Sequence, residues 1–364
     1  MSDTNGIVTP AAIVDLAVVE RNLDGMQAYA AAHGLALRPH VKTHKNAWLA
    51  AEQVRRGARG ITVATTVETE LLGAAAPEVL IAYPPLGSRA EAAARSAAAR
   101  PTLVALDSLA ALEALRTAAR AAGVSVGVLV ELDVGMRRCG VQHPGDALAI
   151  ARACDGEHVV YRGVMFYPGH VREPVDEQDG PLSELNATLG RFRAELSDAG
   201  FAPSIVSGGS TPTAYRSHEL SGLTEIRPGT YNFNDRTTEA IGACSRDEIA
   251  YTVLATVVST AVPGQAVVDA GSKALSSDTI RAPGREGFGE LLERPEVFVT
   301  RMSEEHGVLD LSRSDWRPTV GERVRIVPNH VCVSVNLQRT IFGLRAGSVV
   351  QEWSPEARGW RASE

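Results

Sequence analysis

Cysteine is scarce in this chain: Cys139, Cys154, Cys244 and Cys332 are the only four in 364 residues. So few, so far apart, do not make a disulfide framework, and most are expected to be small buried apolar residues. Basic charge is not in excess either. Lys and Arg number 36 against 43 Asp and Glu, a net charge of −7 with no concentrated basic stripe, which excludes nucleic acid as a partner. No apolar run approaches the roughly 18–20 residues of a membrane span, so a soluble protein with no membrane partner is expected. Met1 to Thr9 lacks the basic and apolar regions of a secretory signal, making a cytoplasmic location the expectation. No repeat of fixed period is present, and the only compositional bias is towards alanine.

Globular texture fills the rest, with 45% hydrophobic and 22% charged residues. The length suits two domains or one enlarged α/β barrel. Short β-rich runs at Leu35–Lys42, Ile61–Thr66, Val79–Tyr83, Leu103–Asp107, Ser125–Asp133, Tyr161–Tyr167, Ser204–Gly208 and Leu223–Pro228 alternate with amphipathic Ala-rich stretches such as Ala90–Ala99, Ser108–Ala122 and Leu182–Ala199. Eight such units predict a (β/α)8 TIM-type barrel over residues 10–240, an open doubly wound sheet being the alternative. Beyond Ile241, Val-rich runs at Ile249–Ala261, Gln265–Ala270, Glu296–Met302 and Arg323–Asn336, broken by Pro263-Gly264, Gly284 and Gly321, predict a mostly antiparallel β domain over 241–364. Residues 1–9 are expected to pack on it.

In such a barrel, chemistry gathers where the strands end. The first strand ends in Arg38-Pro39-His40-Val41-Lys42-Thr43-His44-Lys45, the fifth in Glu131 to Arg138, the sixth in Tyr167-Pro168-Gly169-His170, and the eighth in Arg227-Pro228-Gly229-Thr230-Tyr231. An amine among other cations at a strand end gives up part of its proton, and a neutral amine condenses with an aldehyde, which makes Lys42 a candidate imine-forming lysine. After the seventh strand, Ser207-Gly208-Gly209-Ser210-Thr211 offers backbone N–H groups and hydroxyls to an anion, with Gly229 and Thr230 as further donors. An imine-forming lysine and a phosphate cradle on one rim together imply pyridoxal 5′-phosphate. A solvated cationic loop is the alternative for Lys42 and Lys45.

His330-Val331-Cys332 lies within a β-rich run, where period-two alternation puts an imidazole and a thiol on one face, able to hold one Zn²⁺ or similar ion. Only two protein donors leave positions open to water or substrate, as a working metal site requires. A buried Cys332 beside a strand-capping His330 is the alternative.

Taken together, these segments resemble the fold-type III pyridoxal-phosphate enzymes, whose barrel is of the alanine racemase type, and within them the D-threonine aldolase / D-serine dehydratase family. The resemblance covers essentially the whole chain. It rests on Arg38 to Lys45, Asp133 to Gly140, Tyr167 to His170, Arg227 to Tyr231 and Pro328 to Cys332. It implies that Lys42 carries the cofactor, that Arg138 lies near its phenolic oxygen, that Tyr167 flanks the ring and that Arg227 approaches the pyridine nitrogen. It further implies that Ser207, Gly208, Gly209, Ser210, Thr211, Gly229 and Thr230 hold the phosphate, that His330 and Cys332 bind a divalent ion (Zn²⁺, Mn²⁺ or Mg²⁺), and that the protein is a homodimer. The implied reaction is that of a lyase on D-3-hydroxy-α-amino acids. His170 as base for the β-hydroxyl is similar to the aldolases, while the His-x-Cys pair is more similar to the dehydratases, and the aldolase outcome is the expectation. A racemase would need a second base, and Tyr251, the only tyrosine beyond Ile241, sits in a buried-strand context. A cofactor-binding protein without turnover would lack the C-terminal domain. Asp269, Glu305 and His306 have no assigned role.

Overall fold

The computed structural model describes residues 4, 6–280 and 285–359. Two compact units emerge. One combines the residues up to Asp24 with Thr230–Pro355, the other Gly25–Gly229 with those from Glu356 on. The division falls at Gly229/Thr230, earlier than the expected boundary after Ala240, and Gly284 lies outside the described residues.

The chain opens with β1 (Ala11–Asp15) and α1 (Leu16–Ala32). The barrel strands follow as β2 (Ala36–Leu37), β3 (Ile61–Val63), β4 (Val79–Ile81), β5 (Thr102–Leu106), β6 (Val126–Leu132), β7 (Val159–Phe166), β8 (Ile205–Gly208) and β9 (Glu225–Ile226). Between them run α2 (Ala47–Arg55), α3 (Thr66–Leu72), α4 (Ser88–Ala99), α5 (Leu109–Ala122), α6 (Pro144–Ala153) and α7 (Asp179–Asp198). The eight strands form one parallel sheet in the order β2-β9-β8-β7-β6-β5-β4-β3. Its ends are joined by a parallel bridge between His40 and Thr62, with Val41 N–H donating to Thr62 O at 2.9 Å and Thr62 N–H to Pro39 O at 2.8 Å. The expected (β/α)8 barrel is therefore the observed one, although its first and last strands have short ladders.

Local chemistry explains the helices. Ser108 accepts the Ala111 N–H at the start of α5, and Gly123 ends it at φ 65°, a conformation that costs glycine little. Leu80, Leu103, Ala105, Leu129, Met165 and Ile205 pack into one apolar cluster drawn from β4 to β8. Each fully buried large side chain there contributes about 1.5–3 kcal/mol.

The other unit adds β10 (Tyr251–Ser259), β11 (Gln265–Val268), β12 (Gly289–Leu291), β13 (Val299–Met302), β14 (Gly307–Asp310), β15 (Arg323–Pro328), β16 (Ile341–Arg345) and β17 (Ser348–Trp353). Helices α8 (Arg236–Ala240), α9 (Ser272–Leu275) and α10 (Val331–Leu337) accompany them. Strand β1 also belongs here, antiparallel to β10 and parallel to β16. Its apolar Ala-Ala-Ile-Val run is a buried strand whose partners could not be read from the local pattern. Ile7 packs with Ala11, Ile13, Leu254 and Leu344, and Arg323 donates to the carbonyls of Thr4 and Ile7, so the described N-terminal residues do lie on the β unit.

One expected strand is cut short. The Arg323–Asn336 run stays extended only to Pro328, then turns at Asn329 and becomes α10. The valines of Val331-Cys-Val-Ser-Val favour a strand locally, but the Asp235 carboxylate accepts the Val331 N–H at 3.0 Å and starts a helix instead. His330 is consequently the N-cap residue and Cys332 stands in the first helical turn, so the two are not alternate residues of a strand. None of the four cysteines is in a disulfide, all are partly exposed, and none is a fully buried core residue. Among the described residues no helix is long and apolar enough to cross a membrane.

Candidate active site

Lys42 follows the barrel-closing bridge in a tight turn, with its Nζ 5.8 Å from the centre of the Tyr167 ring. Arg138 reaches the same ring at 5.0 Å, so three of the expected residues meet at one point of the rim. The two neighbouring lysines differ in availability. Lys45 Nζ donates to Glu68 Oε1 at 2.9 Å and to Ala357 O at 3.2 Å, whereas Lys42 Nζ has no ion-pair partner among the described residues. The histidines beside them add no charge. Burial, reinforced by Lys42 and Arg227, drives His40 well below its usual range, and burial brings His44 down to about 4 against its bonds to Gln53 and Asn46. The cationic surroundings expected for Lys42 are thus sparser than the sequence suggests.

Arg227 is held from two sides, Nη1 donating to Ser207 Oγ at 2.6 Å and Nη2 to Phe166 O at 2.7 Å. Ser207 Oγ in turn donates to Glu225 Oε1 at 2.6 Å, and Glu225 takes Arg38 Nε at 2.9 Å and Nη2 at 3.0 Å. Burial lowers Arg227 to about 10 in spite of Glu225 and Glu131. Ser207 therefore departs from the expectation, because its hydroxyl is engaged below the rim as a strut for Arg227.

The rest of the anion loop fits a phosphate. A Cβ on Gly208 would lie 2.0 Å from Phe166 Cζ, and Gly209 has φ +82°, so both positions admit only glycine without rearrangement. Thr211 Oγ1 accepts the Gly229 N–H at 3.2 Å, drawing the loops after β8 and β9 together, while Ser210 and Thr213 share a 3.2 Å contact between hydroxyls. Thr230 opens a short 3₁₀ turn over Thr230–Asn232.

His170 is exposed and packs over Gly135, where a Cβ would sit 2.8 Å from Nε2. It lines an open groove of about 600 Å³ with Asp133, Arg137, Gln142 and Arg191 among its walls. Burial would raise Asp133, but the N–H groups of Arg137 and Gly135 and the Gln142 amide hold it below the usual carboxylate range.

In the β unit, His330 Nδ1 lies 3.1 Å from Asp235 Oδ2, which leaves Nε2 for another partner. Burial disfavours a charged His330, yet the adjacent Cys332 and Asp235 outweigh it and raise His330 to about 11. Imidazole with thiolate is a donor set for a divalent ion, whose binding would displace the proton that His330 holds beside Cys332. No group of three or more His, Cys, Asp or Glu that could hold a metal occurs among the described residues, so His330 and Cys332 would be two protein donors with no third.

The remaining candidates are structural. Tyr251 is buried, its OH 2.8 Å from Ser334 Oγ, and burial pushes its hydroxyl well above the usual range, which removes it as a racemase base. Asp269 ties Thr9 Oγ1 at 2.5 Å to Thr256 N at 2.7 Å, and Glu305 pairs with exposed Lys273. Sequence reasoning placed Glu131 at a strand end without a role and missed Glu225 and Asp235; burial pushes the Glu131 carboxyl up against the pull of Arg138 and Arg227. The Asp235-Arg-Thr-Thr238 pattern does signal a helix N-terminus, but nothing in it points to residue 330.

Known proteins match this arrangement along the whole chain. The alanine racemase N-terminal domain model matches residues 14–236 and the putative serine dehydratase domain model residues 250–344. The D-threo-3-hydroxyaspartate dehydratase of Delftia sp. (strain HT23) is 35% identical, with 97% of this chain and 98% of that one covered. A D-threonine aldolase of Arthrobacter sp. is 33% identical, covering 97% and 93%. Among solved structures, a cysteine-to-alanine mutant of D-threo-3-hydroxyaspartate dehydratase in its metal-free form superposes with a TM-score of 0.89 at 33% identity, over 98% of this chain and 99% of that one. The chain belongs to the fold-type III pyridoxal-phosphate family, in the branch that joins an alanine-racemase-type barrel to a serine-dehydratase-type β domain.

Proposed function

We propose that this protein is a lyase, dependent on pyridoxal 5′-phosphate and a divalent metal ion, that cleaves D-3-hydroxy-α-amino acids to glycine and an aldehyde as D-threonine aldolases do. The observation that carries this reading is the Lys42 amine, without an ion-pair partner among the described residues and beside Tyr167 and Arg138, in a chain that also holds the His330 and Cys332 donor pair. When bound, the cofactor supplies an electron sink at Cα and the ion supplies positive charge for an oxygen losing its proton.

Lys42 is the amine that would hold the cofactor, with Gly208, Gly209, Ser210, Thr211, Gly229 and Thr230 as the phosphate loop. Arg227, fixed by Ser207 and the Phe166 carbonyl, would present a cation to the pyridine nitrogen and so disfavour its protonation. His330 and Cys332 would hold Zn²⁺, Mn²⁺ or Mg²⁺, the thiolate favouring the softer Zn²⁺. His170, exposed in its groove, accepts the proton of the substrate β-hydroxyl as the Cα–Cβ bond breaks.

The donor set favours a second reading. A D-threo-3-hydroxyaspartate dehydratase carrying a cysteine-to-alanine mutation was solved in a metal-free form, and this chain places a cysteine in its own donor pair. In that reading Lys42 removes the α-proton and hydroxide leaves, giving a 2-oxo acid and ammonia. Incubating the loaded enzyme with D-threonine and D-serine separates the two. Glycine with acetaldehyde from D-threonine is expected, and 2-oxo acid with ammonia as the main product would replace the aldolase by the dehydratase. A cytoplasmic homodimer completes the proposal, to be checked by light scattering, where a monomeric mass would contradict it.

A further inference from the structure

Asp235 is fully buried, and each of its carboxylate oxygens does a separate job. Oδ1 accepts Thr238 N at 2.9 Å and Thr238 Oγ1 at 3.1 Å, capping α8. Oδ2 accepts Val331 N at 3.0 Å and lies 3.1 Å from His330 Nδ1. The Val331 N–H is a donor with no alternative role, so Oδ2 is fixed as an acceptor. His330 Nδ1 must then carry its proton towards Asp235, and Nε2 is the nitrogen whose lone pair a cation would take on displacing the proton there. The link spans 95 residues, so α8 and α10 both start from one carboxylate.

We propose that Asp235 is a positioning residue for the metal site: it selects the His330 tautomer that binds a divalent ion through Nε2 and locks the ring against the start of α10. This rests on the reading of His330 and Cys332 as metal donors. A role confined to capping α8 would make Asp235 matter for stability alone, and the two roles separate experimentally.

In Asp235→Asn the side chain keeps its shape but retains a single acceptor oxygen. If that oxygen serves Thr238, the amide NH2 faces His330, Nδ1 must become an acceptor, and the proton moves to Nε2, where it blocks the ion. Zinc affinity of the full-length protein loaded with pyridoxal phosphate, measured by competition with a chromophoric chelator, is expected to fall about 10–100-fold, as for other carboxylates that orient a ligating histidine. Thr238→Val removes the hydroxyl half of the capping box while leaving the Thr238 N–H bond to Asp235 and the Asp235–His330 contact, and should lower the melting temperature modestly with little change in zinc affinity. Nitrogen-15 imidazole spectra of the zinc-loaded wild type, which need no variant to fold, should show Nδ1 protonated and Nε2 bound. Zinc binding by Asp235→Asn equal to wild type, while His330→Ala loses it, would overturn the inference and leave the metal reading standing. Nδ1 as the zinc-bound nitrogen would likewise overturn it. Undiminished zinc binding by His330→Ala would overturn the metal reading, and this inference with it.

Discussion

Replacing Glu225 by Gln tests the buried network that supports Arg227. Glu225 is 1% exposed and accepts two N–H groups from Arg38, itself 0% exposed, as well as the Ser207 hydroxyl. Removing its charge leaves Glu78, at 2.6 Å, as the only carboxylate paired with Arg38 among the described residues and forces an amide NH2 against a guanidinium or a hydroxyl. Breaking a buried pair in this way costs about 3–5 kcal/mol, and the remaining Glu78 contact puts the expected loss at the lower end. At roughly 2 °C per kcal/mol for a large domain, the melting temperature of the cofactor-free protein should fall by about 6 °C. The pH dependence has a definite sign. Burial raises Glu225, but Arg38 and the Ser207 hydrogen bond outweigh it and leave its folded pKa below the usual carboxylate value. Its stabilisation is therefore complete above the ordinary carboxylate range and lost as pH falls through the lowered folded value. Thermal melts of wild type and variant across pH should show a constant gap near neutrality that closes in acid. A variant that melts with the wild type at neutral pH would refute the assignment of Glu225 as the charge that anchors Arg38 and Ser207.

Two further outcomes are expected. Chelation with EDTA should abolish turnover while leaving the visible absorbance of the bound cofactor intact, and full activity after exhaustive chelation would remove the metal from the reaction. Tyr251→Phe should cost about 1 kcal/mol through its lost bond to Ser334 and leave lyase turnover unchanged. A large fall in kcat there would reopen the racemase reading.

The barrel was legible because β4 to β7 are predominantly apolar runs, Glu131 and Arg162 being exceptions, separated by Ala-rich helices of the right period, and even the two-residue ladders of β2 and β9 announced themselves through the polar residues that follow them. The β unit was less so. Strands β12 and β14 are only three and four residues long, β16 and β17 are partly exposed, and β1 gave no sign that its partners lie in the C-terminal half. The helix at Val331 contradicts the β-branched composition because a carboxylate 96 residues away supplies its first acceptor. The same distance effect governed the site. Lys42, Tyr167 and Arg138 could be placed on one rim from the strand ends alone. Glu225 and Asp235 act through partners 187 and 95 residues distant, and Ser207 looked like an anion donor until Arg227 and Glu225 were seen to occupy its hydroxyl.

The account depends most on which amine takes the cofactor. Borohydride reduction of the protein loaded with pyridoxal phosphate, followed by peptide mapping, should place the stable pyridoxyl label on Lys42. Label on Lys45, whose Nζ is bound to Glu68 and the Ala357 carbonyl, or no label at all with the cofactor in excess, would contradict it.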